Sequence, residues 1–413
     1  MKEKKSQKNI RRDHKTLGQE LDLFTFSDLI GPGLPLWTPK GTLIRHLLDD
    51  FVWELRQKKG YVKVEIPHIT KKDLYVKSGH WDKFKDELFQ IKSRENHIFA
   101  LKPMNCPHHT QIFARKIHSY KELPQRYANT AMVYRDEQTG ELSGILRVRA
   151  ISIDDAHIFA RYSQVEKELS DSWEIIQDFY RSFGFENIEV NLSLRDPKNP
   201  EKYIGKPEIW QKTEQILRNV AKNKNIKANE VEGEAAFYGP KIDFLAKDTI
   251  GREWQLATIQ LDMNLPERFN LYCINEKGEE ERIVMLHLAV MGSIERFMAN
   301  IIEHFQGSLP LWLAPEQIWI IPITSKLNKY AKEIAKIFQT SDFRFQVKDE
   351  NETLSKKILE GEIQKIPYLI ILGEKEEKAK TISIRHKGKN TNDVKLKDFL
   401  VKIEKEIAEK DWE

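Results

Sequence analysis

Apolar residues recur at helical spacing in two long stretches of the chain. The first stretch stops before Gly60 and contains Leu43, Ile44, Leu47, Leu48, Phe51, Val52 and Leu55. The second follows Gly292-Ser293 and contains Ile294, Phe297, Met298, Ile301, Ile302 and Phe305. This spacing predicts two amphipathic helices. Two more helices are predicted across Glu208–Ala221 and from a capping box at Ser163–Glu166 to a point near Gly184.

A β-hairpin is predicted between the helices, in the region that begins at Ala128. Thr130–Tyr134 is β-branched and aromatic, a turn follows at Gln138–Gly140, and Leu146–Ile153 alternates. Alternation places Arg147, Arg149, Ile151 and Ile153 on one face of the second strand. Arg135, Glu137 and Arg147 then offer a cationic fork for phosphate oxygens and a carboxylate for an amine or a metal. The alternative is a surface hairpin whose charges are solvated.

The other strands complete an α+β pattern. They are predicted at Tyr61–Ile66, Phe89–Ile91, Ile98–Ala100, Ile188–Leu194, Trp254–Asp262 (after a turn at Asp248–Gly251) and Ile283–Val290. Hairpin connections predict a mostly antiparallel sheet. A turn-rich segment, Leu309–Pro315, marks a domain boundary, and alternating strands and helices beyond it predict a small α/β domain on a mixed sheet.

The composition indicates the class of protein and its cellular compartment. The chain has 413 residues, a net charge of +4 and two distant cysteines, Cys106 and Cys273. These values fit a cytoplasmic protein of more than one domain that meets a polyanion on one face. No apolar run is long enough to span a membrane. Residues 1–12 form a basic tail that we expect to be mobile, either solubilising or touching RNA.

Three motifs resemble those of class II aminoacyl-tRNA synthetases. Tyr134-Arg135-Asp136-Glu137 with Arg147-Val148-Arg149 resembles motif 2, and the run Asp154–Phe159 is similar to that of threonyl-tRNA synthetases in particular. The helix before Gly60 with its following strand and proline resembles motif 1, and the early Arg296 of the last helix resembles the motif 3 arginine. There is no G-x-x-x-x-G-K-[ST] phosphate loop, so ATP would be held in another way.

The resemblance implies a fold and a reaction. Residues 13–309 would form a class II catalytic domain, an antiparallel sheet flanked by helices, and residues 315–413 an α/β anticodon-binding domain. The chain would activate L-threonine with ATP and Mg²⁺, transfer it to tRNA(Thr), and act as a homodimer through motif 1. Catalysis would come from positioning and from cations.

A zinc site is also implied, although the spacing of its ligands would not have shown it. Cys106, His157 and His287 match the family's ligands. Taken singly, the cysteine would be a small buried residue and His287 a satisfied core histidine. A thiolate with two imidazoles suits Zn²⁺ and leaves open coordination positions. Threonine can fill them with its amine and hydroxyl, whereas valine cannot.

The remaining functional positions are carried over residue by residue. The ATP-binding positions are Arg135, Glu137, Arg147, Gln255, Thr258 and Arg296, of which Arg135 and Arg296 would be catalytic. Residues lining the threonine pocket are Asp155, Tyr238, Gln260 and Ala289, with Lys241 at its border. His80 matches a histidine implicated in transfer to the tRNA ribose. The anticodon positions are Asn351, Lys365, Glu376 and Arg385.

Several residues depart from the family pattern. His108 stands where glycine is frequent, and Ile153 replaces a common glutamine. Leu288, Leu359 and Lys365 stand at positions usually held by arginine. These changes leave the proposed ligands intact and bear on carboxylate activation and on anticodon reading.

Two other functions compete with this reading. Another class IIa specificity, prolyl or seryl, is disfavoured by the Cys106, His157 and His287 set. A synthetase-like RNA-binding or regulatory paralogue is disfavoured because Arg135 and Arg296 are both present. Since the catalytic resemblance begins near Asp13, we expect no editing of seryl-tRNA(Thr) by this polypeptide. Either the polypeptide is part of a longer protein, or a separate trans-editing protein supplies the proofreading. Serine differs from threonine by one methyl group, which a pocket distinguishes by only about 10–200-fold.

Overall fold

The computed structural model describes residues 12–84, 86–185, 188–247, 253–341 and 343–412. The predicted basic tail, apart from Arg12, and the turn at Asp248–Gly251 lie outside these ranges. Two hydrophobic cores lie on either side of the predicted boundary, one built by residues up to Leu313 and one beginning at Leu311. None of the described helices combines the length and the apolar character needed to cross a bilayer.

An eight-stranded sheet organises the first domain within the described residues. Its order is β11-β10-β12-β13-β16-β9-β8-β3, and neighbours are antiparallel except for β10 with β11 and β3 with β8. The strands of this domain are β1 Phe24–Thr25, β2 Leu36–Trp37, β3 Val62–Lys63, β4 Ile69–Lys71, β5 Gln90–Lys92, β6 Ile98–Leu101, β7 His118–Ser119, β8 Gln125–Tyr134, β9 Ala150–Ala160, β10 Glu189–Leu194, β11 Asn229–Glu232, β12 Lys241–Lys247, β13 Glu253–Asp262, β14 Tyr272–Ile274, β15 Glu280–Arg282 and β16 Val284–Ser293. The predicted antiparallel sheet is confirmed.

Long helices cover one face of this sheet. The helices of the domain are α1 His14–Glu20, α2 Pro39–Lys58, α3 Lys72–Ser78, α4 His80–Lys83, α5 Cys106–Ala114, α6 Val165–Arg181, α7 Pro207–Asn223, α8 Asn264–Arg268 and α9 Ile294–His304. Phe179 of α6 stacks on Phe51 of α2 and contacts Phe297 of α9, with both ring-centroid distances at 5.3 Å. Ile158 and Leu286 of the sheet join the same core. Because strand side chains alternate, their neighbours His157 and His287 face the other side.

The second domain is built on a five-stranded mixed sheet of order β18-β17-β19-β20-β21. Strand β17 is parallel to β18 and β19, and the remaining pairs are antiparallel. Its elements are β17 Ile318–Pro322, α10 Asn328–Thr340, β18 Phe345–Val347, α11 Leu354–Ile363, β19 Tyr368–Leu372, α12 Glu374–Ala379, β20 Thr381–His386, β21 Lys389–Lys395 and α13 Leu396–Ala408. The predicted alternation of strands and helices on a mixed sheet is confirmed.

The second strand of the predicted hairpin differs in its bounds. It begins at Ala150 instead of Leu146 and continues to Ala160. Arg147 and Arg149 therefore do not share a strand face with Ile151. Both arginines are drawn out of the strand by Glu137, whose carboxylate accepts from Arg147 Nε at 2.8 Å and whose carbonyl accepts from Arg149 Nε at 3.0 Å.

Two smaller predictions are also corrected. Within the predicted strand Tyr61–Ile66, the regular strand covers Val62–Lys63. Helix α6 forms without the predicted capping box. Instead, Gln164 accepts from the backbone N–H of Arg161 at 3.0 Å, and a 3₁₀ turn leads into the helix.

Candidate active site

Strand register brings most of the predicted threonine-binding residues into two adjacent rows on the open face of the sheet. One row runs Lys241, Gln260, His287, His157 across β12, β13, β16 and β9. The other row runs Asp243, Thr258, Ala289, Asp155 across the same strands. Directly paired residues share a face, and so do residues two positions apart along a strand. Residues up to 134 positions apart in the chain, Asp155 and Ala289, thus become neighbours because the strands are paired in this register.

The three predicted metal ligands converge beside these rows. Cys106 opens helix α5, His157 lies on β9 and His287 on β16, and one potential ligand atom from each lies within 4.8 Å of the other two. All three side chains are buried. Burial raises the pKa of the Cys106 thiol and lowers the pKa of His157.

Each histidine is held by a partner behind it. Asp262 Oδ2 lies 3.0 Å from His287 Nε2, and His109 Nδ1 lies 2.7 Å from His157 Nδ1. Asp262 is itself fixed, because its other oxygen accepts from two backbone N–H groups at the start of α8. Such partners set the tautomer and orientation of metal-binding imidazoles. The sequence analysis missed both, although Asp262 follows Gln260 by two positions and so shares its strand face.

The donor set fits zinc. His157 Nε2 and His287 Nδ1 face each other at 3.0 Å. Two nitrogens bound to one tetrahedral zinc ion lie about 3.3 Å apart, given bonds of about 2.0–2.1 Å. With Nε2 of His287 donating to Asp262, Nδ1 keeps a free lone pair for a metal. The composition of one sulfur and two nitrogens also matches zinc chemistry.

Two arginines near Cys106, His157 and His287 have no carboxylate partner among the described residues. Arg135 directly follows β8, and its guanidinium lies 5.6 Å from the Phe84 ring centroid and 3.2 Å from the Met104 sulfur. Arg296 lies in the first turn of α9, and its Nε donates to the Leu146 carbonyl at 3.3 Å. The pKa of Arg296 is lowered by desolvation and by the charges of Arg135 and Arg147. An arrangement of unneutralised cations in one region favours an anionic ligand.

Arg147 behaves differently from these two arginines. Its Nη2 pairs with Glu137 at 2.6 Å, and the same nitrogen lies 3.3 Å from Glu141. Two of the predicted ATP positions, Arg147 and Glu137, thus neutralise each other.

Asp243 organises the other predicted ATP positions and was not predicted. Its Oδ1 accepts from Gln255 at 2.7 Å and Thr258 at 2.8 Å, and its Oδ2 accepts from Lys241 at 2.6 Å. A β-bulge opposite Phe244 and Leu245 allows Gln255 and Thr258, an odd number of residues apart, to meet on one carboxylate. No sequence motif marks Asp243, but it lies two positions after Lys241 and therefore on the same strand face.

The predicted threonine pocket surrounds the metal-ligand group. The Tyr238 hydroxyl donates to Gln260 at 2.7 Å, and its ring stacks on His287 with centroids 5.1 Å apart. Asp155 Oδ1 lies 3.6 Å from His157 Nε2, and burial raises the pKa of this carboxyl to about 6. Ala289 faces Asp155 across the strand pair, so a small side chain leaves room there.

His80 is buried at the edge of the same group. Its Nδ1 lies 2.8 Å from Ser78 Oγ, and its Nε2 lies 3.5 Å from Cys106 Sγ. Burial lowers the pKa of His80 to about 3. The structure therefore places His80 beside the metal-ligand group.

Four of the residues that depart from the family pattern differ in their burial. Leu288 is buried in the helix-covered core, and Ile153 is half-buried on β9. His108 is buried with Nε2 3.0 Å from Thr70 Oγ1. Leu359 is exposed on α11.

The predicted anticodon positions lie apart from this site, in the second domain. Glu376 accepts from the Gly373 N–H at 3.0 Å and from Ser383 at 2.7 Å. Arg385 pairs with Glu362. Asn351 is exposed and Lys365 is half-buried, with a φ of 58°.

Family comparisons agree with this architecture. Residues 89–305 match the family model of the tRNA synthetase class II core domain (G, H, P, S and T), and residues 317–406 match the anticodon-binding domain. The chain belongs to the class II aminoacyl-tRNA synthetases.

Within this class, three similar proteins are named for threonine. The threonine–tRNA ligases of Flavobacterium johnsoniae and Porphyromonas gingivalis are 47% and 45% identical over 96% of this chain. The chain spans 62% and 61% of the length of these two relatives. The structure of the RNA binding domain of threonyl-tRNA synthetase from Cryptosporidium parvum superposes with a TM-score of 0.89 at 33% identity, covering 95% of this chain and 98% of that one.

Proposed function

We propose that this chain acts as a threonyl-tRNA synthetase, which activates L-threonine with ATP and transfers it to the 3′ end of tRNA(Thr). The observation that carries the proposal is the grouping of Cys106, His157 and His287 on the sheet face that also bears the predicted amino-acid pocket. In the first step the threonine carboxylate attacks the ATP α-phosphate and pyrophosphate leaves. In the second step the tRNA ribose hydroxyl attacks the activated carbonyl and AMP leaves.

Arg135 and Arg296 would bind the phosphates and stabilise the charge that develops on them. Their lack of carboxylate partners among the described residues supports this role. Preorganised cations of this kind are worth more at the transition state than in water, because they need no reorganisation. ATP would arrive with Mg²⁺. Gln255 and Thr258, aligned by Asp243, would lie against the nucleotide.

The amino acid would bind across the two rows of the sheet. Asp155 would accept from the threonine amine, and Tyr238 with Gln260 would fix its orientation. A zinc ion held by Cys106, His157 and His287 would supply positive charge and coordination positions for the amine and the β-hydroxyl of threonine. The site thereby selects for a hydroxyl that valine lacks. A site built to bond a hydroxyl rejects its isostere far more strongly than an apolar pocket does.

The second domain would read the anticodon through Asn351, Lys365, Glu376 and Arg385. His80 would assist the transfer to the ribose. We also propose a homodimer through α2 and β3, as motif 1 implies. Cytoplasmic location stays a prediction.

The deciding experiment is amino-acid-dependent ATP–pyrophosphate exchange with all twenty amino acids, together with elemental analysis of the purified protein. We expect exchange with threonine, weaker exchange with serine, none with valine, and one zinc per chain. Exchange driven by proline, glycine or histidine instead would reject the specificity. Full threonine-dependent exchange without stoichiometric zinc would reject the metal site.

A further inference from the structure

Helix α2 carries two arginines that reach two separate buried carboxylates. Arg45 and Arg56 lie about three turns apart and so share one face of the helix. Arg45 Nη1 pairs with Glu295 at 2.6 Å, and Arg56 Nη2 pairs with Asp154 at 3.2 Å. Glu295 directly precedes Arg296, and Asp154 directly precedes Asp155.

We propose that these two ion pairs position the two substrate sites independently. Arg45 and Glu295 hold the ATP arginine, and Arg56 and Asp154 hold the strand pair that binds the amino acid. The proposal deepens the proposed function and rests on its assignment of Arg296 to ATP and Asp155 to threonine. All four are positioning residues, since each acts through a neighbour.

The contacts of Glu295 fix the start of α9. Its Oε2 accepts from the Ser152 N–H at 2.9 Å and from the Ser293 hydroxyl at 3.0 Å. Ser293 Oγ in turn accepts from the Arg296 N–H at 3.2 Å and caps the helix. Arg45 completes the network by donating to Ser152 Oγ at 2.7 Å. One buried carboxylate therefore joins α2, β9 and the backbone of Arg296.

The contacts of Asp154 fix a different part of the sheet. Its carboxylate accepts from the backbone N–H groups of Val290 at 2.9 Å and Met291 at 3.1 Å. Arg56 Nη2 donates to the carbonyls of Asp154 at 2.9 Å and Leu288 at 3.3 Å. These bonds enclose Ala289, which faces Asp155 across the strand pair. They lie where β9 and β16 lose regular pairing, between Ala289 and Ser293, so the ladder alone does not fix this segment.

Isosteric amide substitutions in the two networks should have opposite effects on the binding of the two substrates. Glu295→Gln should weaken binding of ATP by about tenfold or more and change the KM for threonine less than about twofold. Asp154→Asn should do the reverse. Small displacements of a positioned group have effects of this size. A merely structural role would lower the melting temperature and the active fraction without separating the two substrates.

The experiment measures the KM for each substrate in ATP–pyrophosphate exchange and the Kd for ATP with Mg²⁺ by calorimetry. Arg218→Gln is the matched control, because Arg218 pairs with Glu230 on the exposed edge of the sheet. It should leave all three constants unchanged. The double variant Arg45→Gln, Glu295→Gln should resemble Glu295→Gln alone, since both changes break one network.

Opposite shifts in the two variants would support the proposal. Parallel shifts in both substrates, or no shift in either, would overturn it. If Glu295→Gln or Asp154→Asn does not fold, Arg45→Gln and Arg56→Gln provide the same comparison. If the wild-type chain shows no exchange with any amino acid, the proposed function fails. Calorimetry with ATP then still decides whether Glu295 positions Arg296.

Discussion

Arg385 donates two hydrogen bonds to a single carboxylate oxygen of Glu362, from Nε at 2.8 Å and from Nη2 at 2.6 Å. Arg385 lies on β20 and matches an anticodon-contacting position, and Glu362 lies on the neighbouring helix α11. The acid therefore occupies the donors that would otherwise face an RNA base or phosphate. Any RNA contact by Arg385 must compete with this ion pair.

Glu362→Gln is predicted to tighten tRNA binding by about two- to fivefold. The reason is that a partly exposed surface ion pair contributes about 0.2–1 kcal/mol, which the RNA no longer has to displace. The measurement is the Kd for tRNA(Thr) by filter binding at two salt concentrations. Arg385→Ala provides the contrast: it should weaken tRNA charging while leaving ATP–pyrophosphate exchange unchanged. Equal affinity of Glu362→Gln and wild type would show that Arg385 does not contact RNA.

His287→Ala is predicted to remove the bound zinc and to abolish threonine activation while leaving the fold intact. The variant deletes one ligand and leaves Asp262 without its imidazole partner. Zinc content by elemental analysis, exchange activity and the circular dichroism spectrum are the three measurements. His97→Ala, at an exposed position, is the control and should keep both zinc and activity. Retention of stoichiometric zinc by His287→Ala would contradict the ligand assignment.

Arg296→Ala is predicted to slow adenylate formation by at least about two orders of magnitude. Loss of one preorganised transition-state contact costs about 2.7–4 kcal/mol. Single-turnover formation of threonyl-adenylate is the measurement. Arg181→Ala removes a surface arginine that pairs with Asp178 and should have no effect. A near-normal rate for Arg296→Ala would mean that the phosphate-binding role belongs to another group.

Gly41→Ala is predicted to destabilise the protein by more than about 1 kcal/mol, although alanine ordinarily stabilises a helix interior. A Cβ at this position of α2 would overlap the backbone carbonyl oxygen of Leu23, which cannot move without breaking its bonds to Thr38. Chemical unfolding measures the difference. Gly140→Ala is the control, because open space surrounds its Cβ position, and its free energy of unfolding should match that of the wild type.

Local patterns predicted the elements better than the site. The apolar stripes predicted helices α2 and α9 correctly, because apolar residues that repeat about every 3.6 positions form one buried face when the segment is helical. The stretch from Leu146 to Arg149 misled the analysis, because its alternation resembles a strand while its arginines are drawn towards Glu137. The α6 cap failed for a similar reason, since Gln164 competes with Ser163 for the turn.

The site itself depends on register, which a single sequence does not display. Cys106, His157 and His287 were named through family resemblance alone, and Asp243, Asp262 and His109 were missed. Each missed residue has a partner on another strand or helix. Strand alternation marks the faces of Asp243 and Asp262, but their roles appear only once the elements are paired. Glu295 was likewise hidden, because its significance comes from Arg45 on a helix far away in the chain.

The distance along the chain between the proposed metal ligands has a consequence for folding. His157 and His287 are 130 residues apart, and they meet only after β9 and β16 have paired. Such non-local pairing forms slowly, because a long loop must be closed first. An unfolded or half-assembled chain cannot offer all three donors together, so the ion would bind the completed sheet and stabilise it by mass action. The zinc content of a preparation would then measure the fraction of correctly folded molecules. A chelator should make the first domain unfold before the second.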